Sequence, residues 1–392
     1  MAGLVRFPIT NRVTGNNFTL TLSVGSGATA IDVLLDTGSS MLTVDGALYD
    51  AGTDRAATTT QLLQTAQFSS GTLMASVVRA PVGLLADGDP TAIIVPNANL
   101  AVVYDIQPNL FGRADGILGL AYPALNKSYQ MPKNTWGAGY RSNQLGQGKP
   151  AAALAPYLNQ AVAAGLVADT FAFAVQRSVM SEAADGAAAD LLNDGVFVLG
   201  GGAECTDLYT GPFASVAVVQ ADYYNTNLIA IQVGDRTVTL PPNRAGGPVA
   251  SNSVVDSGNS SLMLDPFLYR QVIGQFNAIN PIFGTALASS GSYDQTALNL
   301  AAWPALRFVL QAAGGGQATV TVAPRDYWQF DSDGPGRATT GLTGGSPHPG
   351  QSILGLPLFA GHYVVFDRTA AGGQGSINFA ARPGGIPAAR IS

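Results

Sequence analysis

Two short stretches of this chain place an aspartate where an apolar run meets a glycine turn. The first is Val33-Leu34-Leu35-Asp36-Thr37-Gly38-Ser39-Ser40, and the second is Ser253-Val254-Val255-Asp256-Ser257-Gly258-Asn259-Ser260. If the fold brings Asp36 and Asp256 together, two like charges at that range cannot both ionise, and the pair shares one proton. It then titrates in two steps that belong to both residues. A water held between them meets a base on one side and an acid on the other. Such a water can attack an amide carbonyl while the acid supports the charge growing on oxygen, and a proton later passes to the leaving nitrogen. The chemistry needs no metal, no cofactor and no covalent intermediate. Gly38 and Gly258 let backbone come close beside each carboxylate. The hydroxyls of Thr37 and Ser257 are suited to hydrogen-bond across the pair and lock the loops. Ser39 and Asn259 are suited to donate to the outer carboxylate oxygens.

The elements that must position these residues also repeat. Each motif is followed some way on by Ile-Leu-Gly, first as Ile117-Leu118-Gly119 and again as Ile353-Leu354-Gly355. One Asp-Thr-Gly alone reads as a turn. Two such motifs, each after an apolar strand and each followed by the same tripeptide in the same order, read as an internal duplication. The duplication predicts two related lobes meeting at a pseudo-two-fold axis, residues 1–205 carrying Asp36 and residues 206–392 carrying Asp256.

Most of the chain reads as β. Phe18 to Val24 alternates apolar and polar residues before a Gly25-Ser26-Gly27 turn, and similar runs recur at 93–95, 100–104, 196–199, 228–233, 320–322 and 363–366. Helices are predicted over 151–165 and over 266–277, the latter opening on Pro266. The 392 residues include 47% hydrophobic and only 11% charged ones, which excludes a disordered chain. A net charge of −6 with no basic stripe argues against nucleic acid as a partner. With only 19 Lys and Arg and 2 His to repel one another once the carboxylates are protonated, the fold is expected to tolerate acid. No apolar run reaches transmembrane length, so no membrane span is expected. The single cysteine, Cys205, allows no intrachain disulfide, and no signal-peptide pattern opens the sequence. A cytoplasmic location is the expectation, the alternative being a secreted protein whose export segment is absent from this sequence.

Taken in order, these residues resemble the pepsin family of aspartic peptidases along nearly the whole chain. The resemblance rests on Asp36 to Ser40 and Asp256 to Gly258. It also rests on Asp115-Gly116-Ile117-Leu118-Gly119-Leu120-Ala121-Tyr122, Val198 to Gly201, Tyr209 to Gly211, Ile353 to Gly355 and Tyr363 to Asp367. It implies an all-β, bilobal fold with a few short helices, a monomer, and a cleft that takes an extended polypeptide or a pepstatin-type inhibitor. It places Phe68, Ser69, Gly71 and Thr72 in a hairpin flap over that cleft, and Leu73, Phe111, Ile117, Tyr224 and Ile353 with Phe68 in apolar subsites. The style is that of bacterial homologues lacking a prosegment. Departures stand out: Phe68 replaces the flap's usual Tyr, Thr43 the Trp that partners it, Asn259 a Ser or Thr, and Leu356 an Asp found in pepsin itself. The stretch 126–150, with Tyr129, Trp136 and Tyr140, either shapes the cleft rim or is an anchored surface loop.

Other chemistries find less support. His348 and His362 are the only histidines, and no Gly-x-Ser-x-Gly elbow accompanies them. They and one cysteine make a poor zinc set. Gly200 to Gly202 and Gly314 to Gly316 lack the Lys-Ser/Thr of a phosphate loop. The rival from another class is a pepsin-fold binding protein with weak or no catalysis, favoured only by the altered flap.

Overall fold

Alternating sequence patterns become strands with one buried face, as in Gln317–Val322, whose residues are exposed and buried in turn. The computed structural model describes residues 3–68, 71–86, 89–107, 111–131, 149–182, 190–240, 251–288 and 291–383. Among these residues the fold is predominantly β, with four sheets and a few short helices. The largest sheet orders fifteen strands. Toward one end of that order Val5–Thr10 pairs with Asp194–Leu199, which pairs with Thr170–Ala174. His362–Asp367, Ser376–Ala381 and Thr210–Ala217 follow in turn, all antiparallel. Position 205 therefore falls between strands of one continuous sheet. The strands Asp194–Leu199, Thr170–Ala174 and His362–Asp367 are covered on both faces and carry near-continuous apolar runs. On one face Phe171, Phe173, Phe197 and Phe366 interlock, with Phe171 and Phe366 stacked at 4.8 Å. The other face holds Ala172, Val196, Val198 and Val365 together with the buried Cys205.

The duplication is visible as two copies of one strand arrangement. In the first, Thr29–Asp36 lies parallel to Gly116–Gly119, with Leu34 opposite Ile117 and Asp36 opposite Gly119. The chain turns after Asp36 and returns as Leu42–Asp45, antiparallel to the same Ile-Leu-Gly strand on its far side. In the second, Ser253–Val255 lies parallel to Ser352–Leu354, and Leu262–Met263 runs antiparallel to it. Ile-Leu-Gly is thus the strand threaded between the two arms of each aspartate loop, which is why the two sequence signals travel together.

The helices are shorter or more numerous than predicted. Only Tyr157–Ala163 is helical within 151–165. Pro156 disfavours helix in the residue before it, and Gly165 ends the helix in the left-handed region at φ 70°. Pro266–Ile279 forms as expected, its first turn capped by the Asp265 side chain, which accepts from the Phe267 and Leu268 N–H groups. A further helix, Pro281–Ala288, follows at once. Among the described residues, no helix is long and apolar enough to cross a membrane.

Candidate active site

The two aspartate loops meet. The Thr37 N–H donates to Ser257 Oγ at 3.0 Å and the Ser257 N–H donates to Thr37 Oγ1 at 2.9 Å. Each hydroxyl passes its own proton to the strand leading into the opposite aspartate: Thr37 to the Val255 carbonyl at 3.2 Å, Ser257 to the Leu35 carbonyl at 2.8 Å. Thr37 and Ser257 are themselves buried. Four reciprocal hydrogen bonds in a dry interior leave each loop unable to shift without orphaning groups on the other.

This lock sets the carboxyl groups of Asp36 and Asp256 within hydrogen-bonding reach of each other. Asp36 Oδ1 accepts from the Gly38 N–H at 2.7 Å, and Asp256 Oδ1 accepts from the Gly258 N–H at 2.8 Å. The glycines are needed for close approach: a Cβ on Gly38 would sit 2.7 Å from an Asp256 oxygen, and one on Gly258 would land on Asp36 Oδ1. Burial raises the pKa of Asp36, and the Ser39 hydroxyl, the Gly38 N–H and the Asp256 carboxyl oppose the rise. Burial also lifts Asp256, and the charge on Asp36 lifts it further, well above the ordinary carboxylate value. Both carboxyls are thus raised, and the pair holds one proton between them in a titration that belongs to the two together.

The other predicted residues divide. Ser39 lies beside Asp36, although its hydroxyl makes no hydrogen bond of regular geometry here. Asn259 does not serve Asp256 in the manner expected: its Oδ1 accepts from the Ser261 N–H at 3.0 Å and the Ser261 hydroxyl at 3.2 Å. The amide oxygen closes that local turn, and among the described residues the amide nitrogen makes no hydrogen bond to Asp256. Leu73, Phe111 and Ile117 gather with Met41 in a small apolar cluster beside the Asp36 loop. Ile353 holds the matching position in the second copy, opposite Val254. The hairpin of Thr58–Phe68 and Gly71–Ala86 stands in the flap's place, Gly71 opposite Phe68 and Thr72 exposed opposite Gln67. Ser69 and the Phe68 side chain lie outside the described residues, as do Trp136 and Tyr140.

Tyr224 is a correction. It is fully buried, packed against Phe171, Phe366 and Tyr122, and has no face to offer a substrate. Its hydroxyl donates to the Leu120 carbonyl at 2.9 Å, while the Leu120 N–H donates to the Asp36 carbonyl at 2.8 Å. Tyr224 therefore supports the floor of the site. Arg368 braces the same spot, pairing with Asp169 at 3.2 Å and lying over the Tyr122 ring at 4.8 Å. The neighbour, Tyr223, is the partly exposed one, and its phenol feels the charges of both Asp36 and Asp256. Reading the sequence alone missed it, because an aromatic pair does not reveal which ring faces inward. Thr43 is fully buried, and its hydroxyl accepts from the Ile117 N–H at 3.0 Å. His348 is exposed, and His362 Nδ1 lies 2.9 Å from the Leu358 carbonyl oxygen, away from the dyad loops in sequence and bonding.

The carboxyl shifts carry a stability consequence. A carboxyl with a raised native pKa holds its proton more tightly folded than unfolded. Its contribution is complete below the unfolded pKa and is lost as pH rises through the native one. Burial raises Asp36, Asp256, Asp169 and Asp326. Two groups oppose the trend. Burial disfavours the charge of Asp54, but hydrogen bonds from Ser26, Tyr49 and the Ala56 N–H hold it at about 2, and burial lowers the His362 pKa, so proton uptake there favours the unfolded chain as pH falls; the four raised carboxyls outnumber them. The melting temperature is therefore expected to rise as pH falls from neutrality toward the ordinary carboxylate range near 4. A melting temperature that drops steadily over that interval would contradict the burial argument.

Two β lobes that each deliver one aspartate to a shared, hydroxyl-locked site define the architecture of an aspartic peptidase. The family model described as eukaryotic aspartyl protease matches residues 91–381. The chain belongs to this family, that of the pepsin-like aspartic peptidases. The matched stretch holds Asp256 and both Ile-Leu-Gly strands; Asp36 precedes it and is joined to the site by the bonds described above.

Proposed function

We propose that this chain is an active endopeptidase that hydrolyses extended polypeptides between apolar residues, with Asp36 and Asp256 sharing the water that attacks. The observation that carries the reading is the carboxyl pair itself, held within hydrogen-bonding reach by reciprocal bonds between the two loops. One carboxyl of the pair, ionised, takes a proton from the water as it adds to the peptide carbonyl. The other, protonated, donates to the carbonyl oxygen as charge develops there. The first then passes its proton to the departing nitrogen as the C–N bond breaks, and a hydroxyl of the tetrahedral intermediate returns a proton to the second, so the pair again holds one. Backbone N–H groups of Gly38 and Gly258 hold both carboxyls through the cycle. The apolar cluster of Met41, Leu73, Phe111 and Ile117 beside Asp36 supports a preference for apolar side chains next to the cut bond.

The test is cleavage of an unfolded protein and of a quenched peptide with paired apolar residues, from acid to neutral pH, with and without pepstatin. Pepstatin-sensitive cleavage that fades as pH rises through the raised dyad pKa is expected. A pure, folded protein that cuts neither substrate at any pH would leave the binding-protein reading in its place.

A further inference from the structure

The strand Thr58–Phe68 would be the free outer edge of the hairpin, but it is not left free. Tyr129–Gln130 pairs with it, Leu62 opposite Gln130 and Leu63 opposite Tyr129, and Lys149–Pro150 pairs outside that strand in turn. The Met131 N–H and the Gln130 side chain both donate to the Gln61 carbonyl, at 2.8 and 2.9 Å. Successive strand residues face opposite ways, so Leu63 and Gln64 show the segment two different surfaces. On one, Leu63 packs with Met74 and Met131 in a separate small core, with Tyr129 against it. On the other, Gln64 is buried, and its Nε2 donates to Asn126 Oδ1 and to the Lys127 carbonyl.

Asn126 is itself buried and tied onward. Its Nδ2 donates to the Leu154 carbonyl at 3.0 Å, and the Leu154 N–H returns a bond to the Asn126 carbonyl at 2.8 Å. Ser128 Oγ donates to the Ala152 carbonyl at 2.7 Å. Soon after comes the helix Tyr157–Ala163, whose Tyr157 hydroxyl reaches the Val82 and Ile93 carbonyls. A buried amide left without partners is costly, so a buried Gln in this strand needs partners that are fixed. Meanwhile Thr43 spends its hydroxyl on the Ile117 N–H and gives the hairpin no bond from the cleft side.

We propose that residues 126–131, with the return strand Lys149–Pro150, form a brace that sets the position of the hairpin from its outer edge, Gln64 and Asn126 being its positioning residues. The effect on substrate rests on the endopeptidase reading above; the mechanical part does not. With the brace intact the hairpin is held over the apolar cluster beside Asp36; with it cut the hairpin samples open positions and substrate binds less well.

The variants are Gln64→Leu, which leaves Asn126 its bond to the Leu154 carbonyl, and the double change Gln64→Leu with Asn126→Leu, which removes the amide pair and also frees the Leu154 carbonyl. Hydrogen exchange of amides in residues 58–76 is expected to quicken roughly five- to tenfold, the loss of about one net hydrogen bond. KM for a peptide substrate is expected to rise by a similar factor with kcat little changed. The exchanged pair Gln64→Asn with Asn126→Gln, which keeps the combined reach, is expected to restore both. Wild-type exchange rates in the double variant would overturn the brace, whether or not the protein cleaves anything. Faster exchange with an unchanged KM in an active enzyme would overturn its role in substrate binding. Absence of cleavage by the wild type would count against the endopeptidase reading alone, and exchange would still decide the brace.

Discussion

Asp256→Asn is expected to cut kcat/KM by roughly 10²–10⁴-fold or more while making the protein harder to melt at neutral pH. The activity loss follows from removing the group that holds the shared proton. The Asn amide cannot donate and recover a proton as the carboxyl does, although it fills the same space. The stability gain follows from the sign of the shift. Burial and the neighbouring charge on Asp36 raise the Asp256 pKa well above the ordinary value, so its charged form opposes folding when the medium is neutral. An Asn there has no charge to accommodate. The gain in melting temperature is expected to shrink as pH falls and the wild-type carboxyl takes up its proton. Asp36→Asn should match the activity loss, and the double variant should be no worse than either single one, since the two act as a unit. Full activity in Asp256→Asn would remove that residue from the chemistry. An unchanged neutral-pH melting curve would show that the pair is not strained by charge.

Gly258→Ala is expected to lower kcat by about 10²-fold with the fold retained, a loss of the size that a displacement near 1 Å produces. The added methyl carbon would land on Asp36 Oδ1, an atom fixed from the other side by the Gly38 N–H. Because Thr37 and Ser257 tie the loops together, neither carboxyl can yield without the other. The damage is therefore geometric, and a change of pH should not rescue it. Gly274→Ala is the control. That glycine lies within the helix Pro266–Ile279 with nothing within 4 Å of the added carbon, so the change should leave kcat alone and stabilise the helix by up to about 1 kcal/mol. Equal kcat in Gly258→Ala and wild type would show that the site tolerates a looser spacing than the coordinates imply.

The dyad was legible in the sequence because its signals are local and doubled. An apolar strand, an aspartate, a hydroxyl and a glycine are written consecutively, and the Ile-Leu-Gly partner strand is written twice in the same order. The hydroxyl lock followed from residue type alone, since Thr37 and Ser257 have few other uses beside an aspartate. What failed to show were choices between equivalent local options. Tyr223 and Tyr224 are adjacent rings, and only packing against Phe171 and Phe366 decides which is buried. Asn259 closes its own turn through its amide oxygen, and residue type alone does not say where the amide nitrogen points. Gln64 and Asn126 are far apart in sequence and each unremarkable alone; only the fold brings them together. The loop-rim alternatives for 126–150 had no local discriminator either, because the segment's role depends on the edge it covers.

The central sheet also governs when a peptidase can come into being. Thr170–Ala174 has its partner in His362–Asp367, roughly 190 residues later, and Arg368 reaches back to Asp169 beneath the Asp36 floor. At ribosomal speeds of 5–20 residues per second, that interval is on the order of ten to forty seconds. For roughly the first 80 residues of it the half carrying Asp36 has no second carboxyl and no opposite hydroxyl, and throughout it the closing strands are missing. On the endopeptidase reading proposed above, a nascent chain of this kind gains its capacity to cut only when the strands that close the site are made, and the long-range pairing makes that step slow.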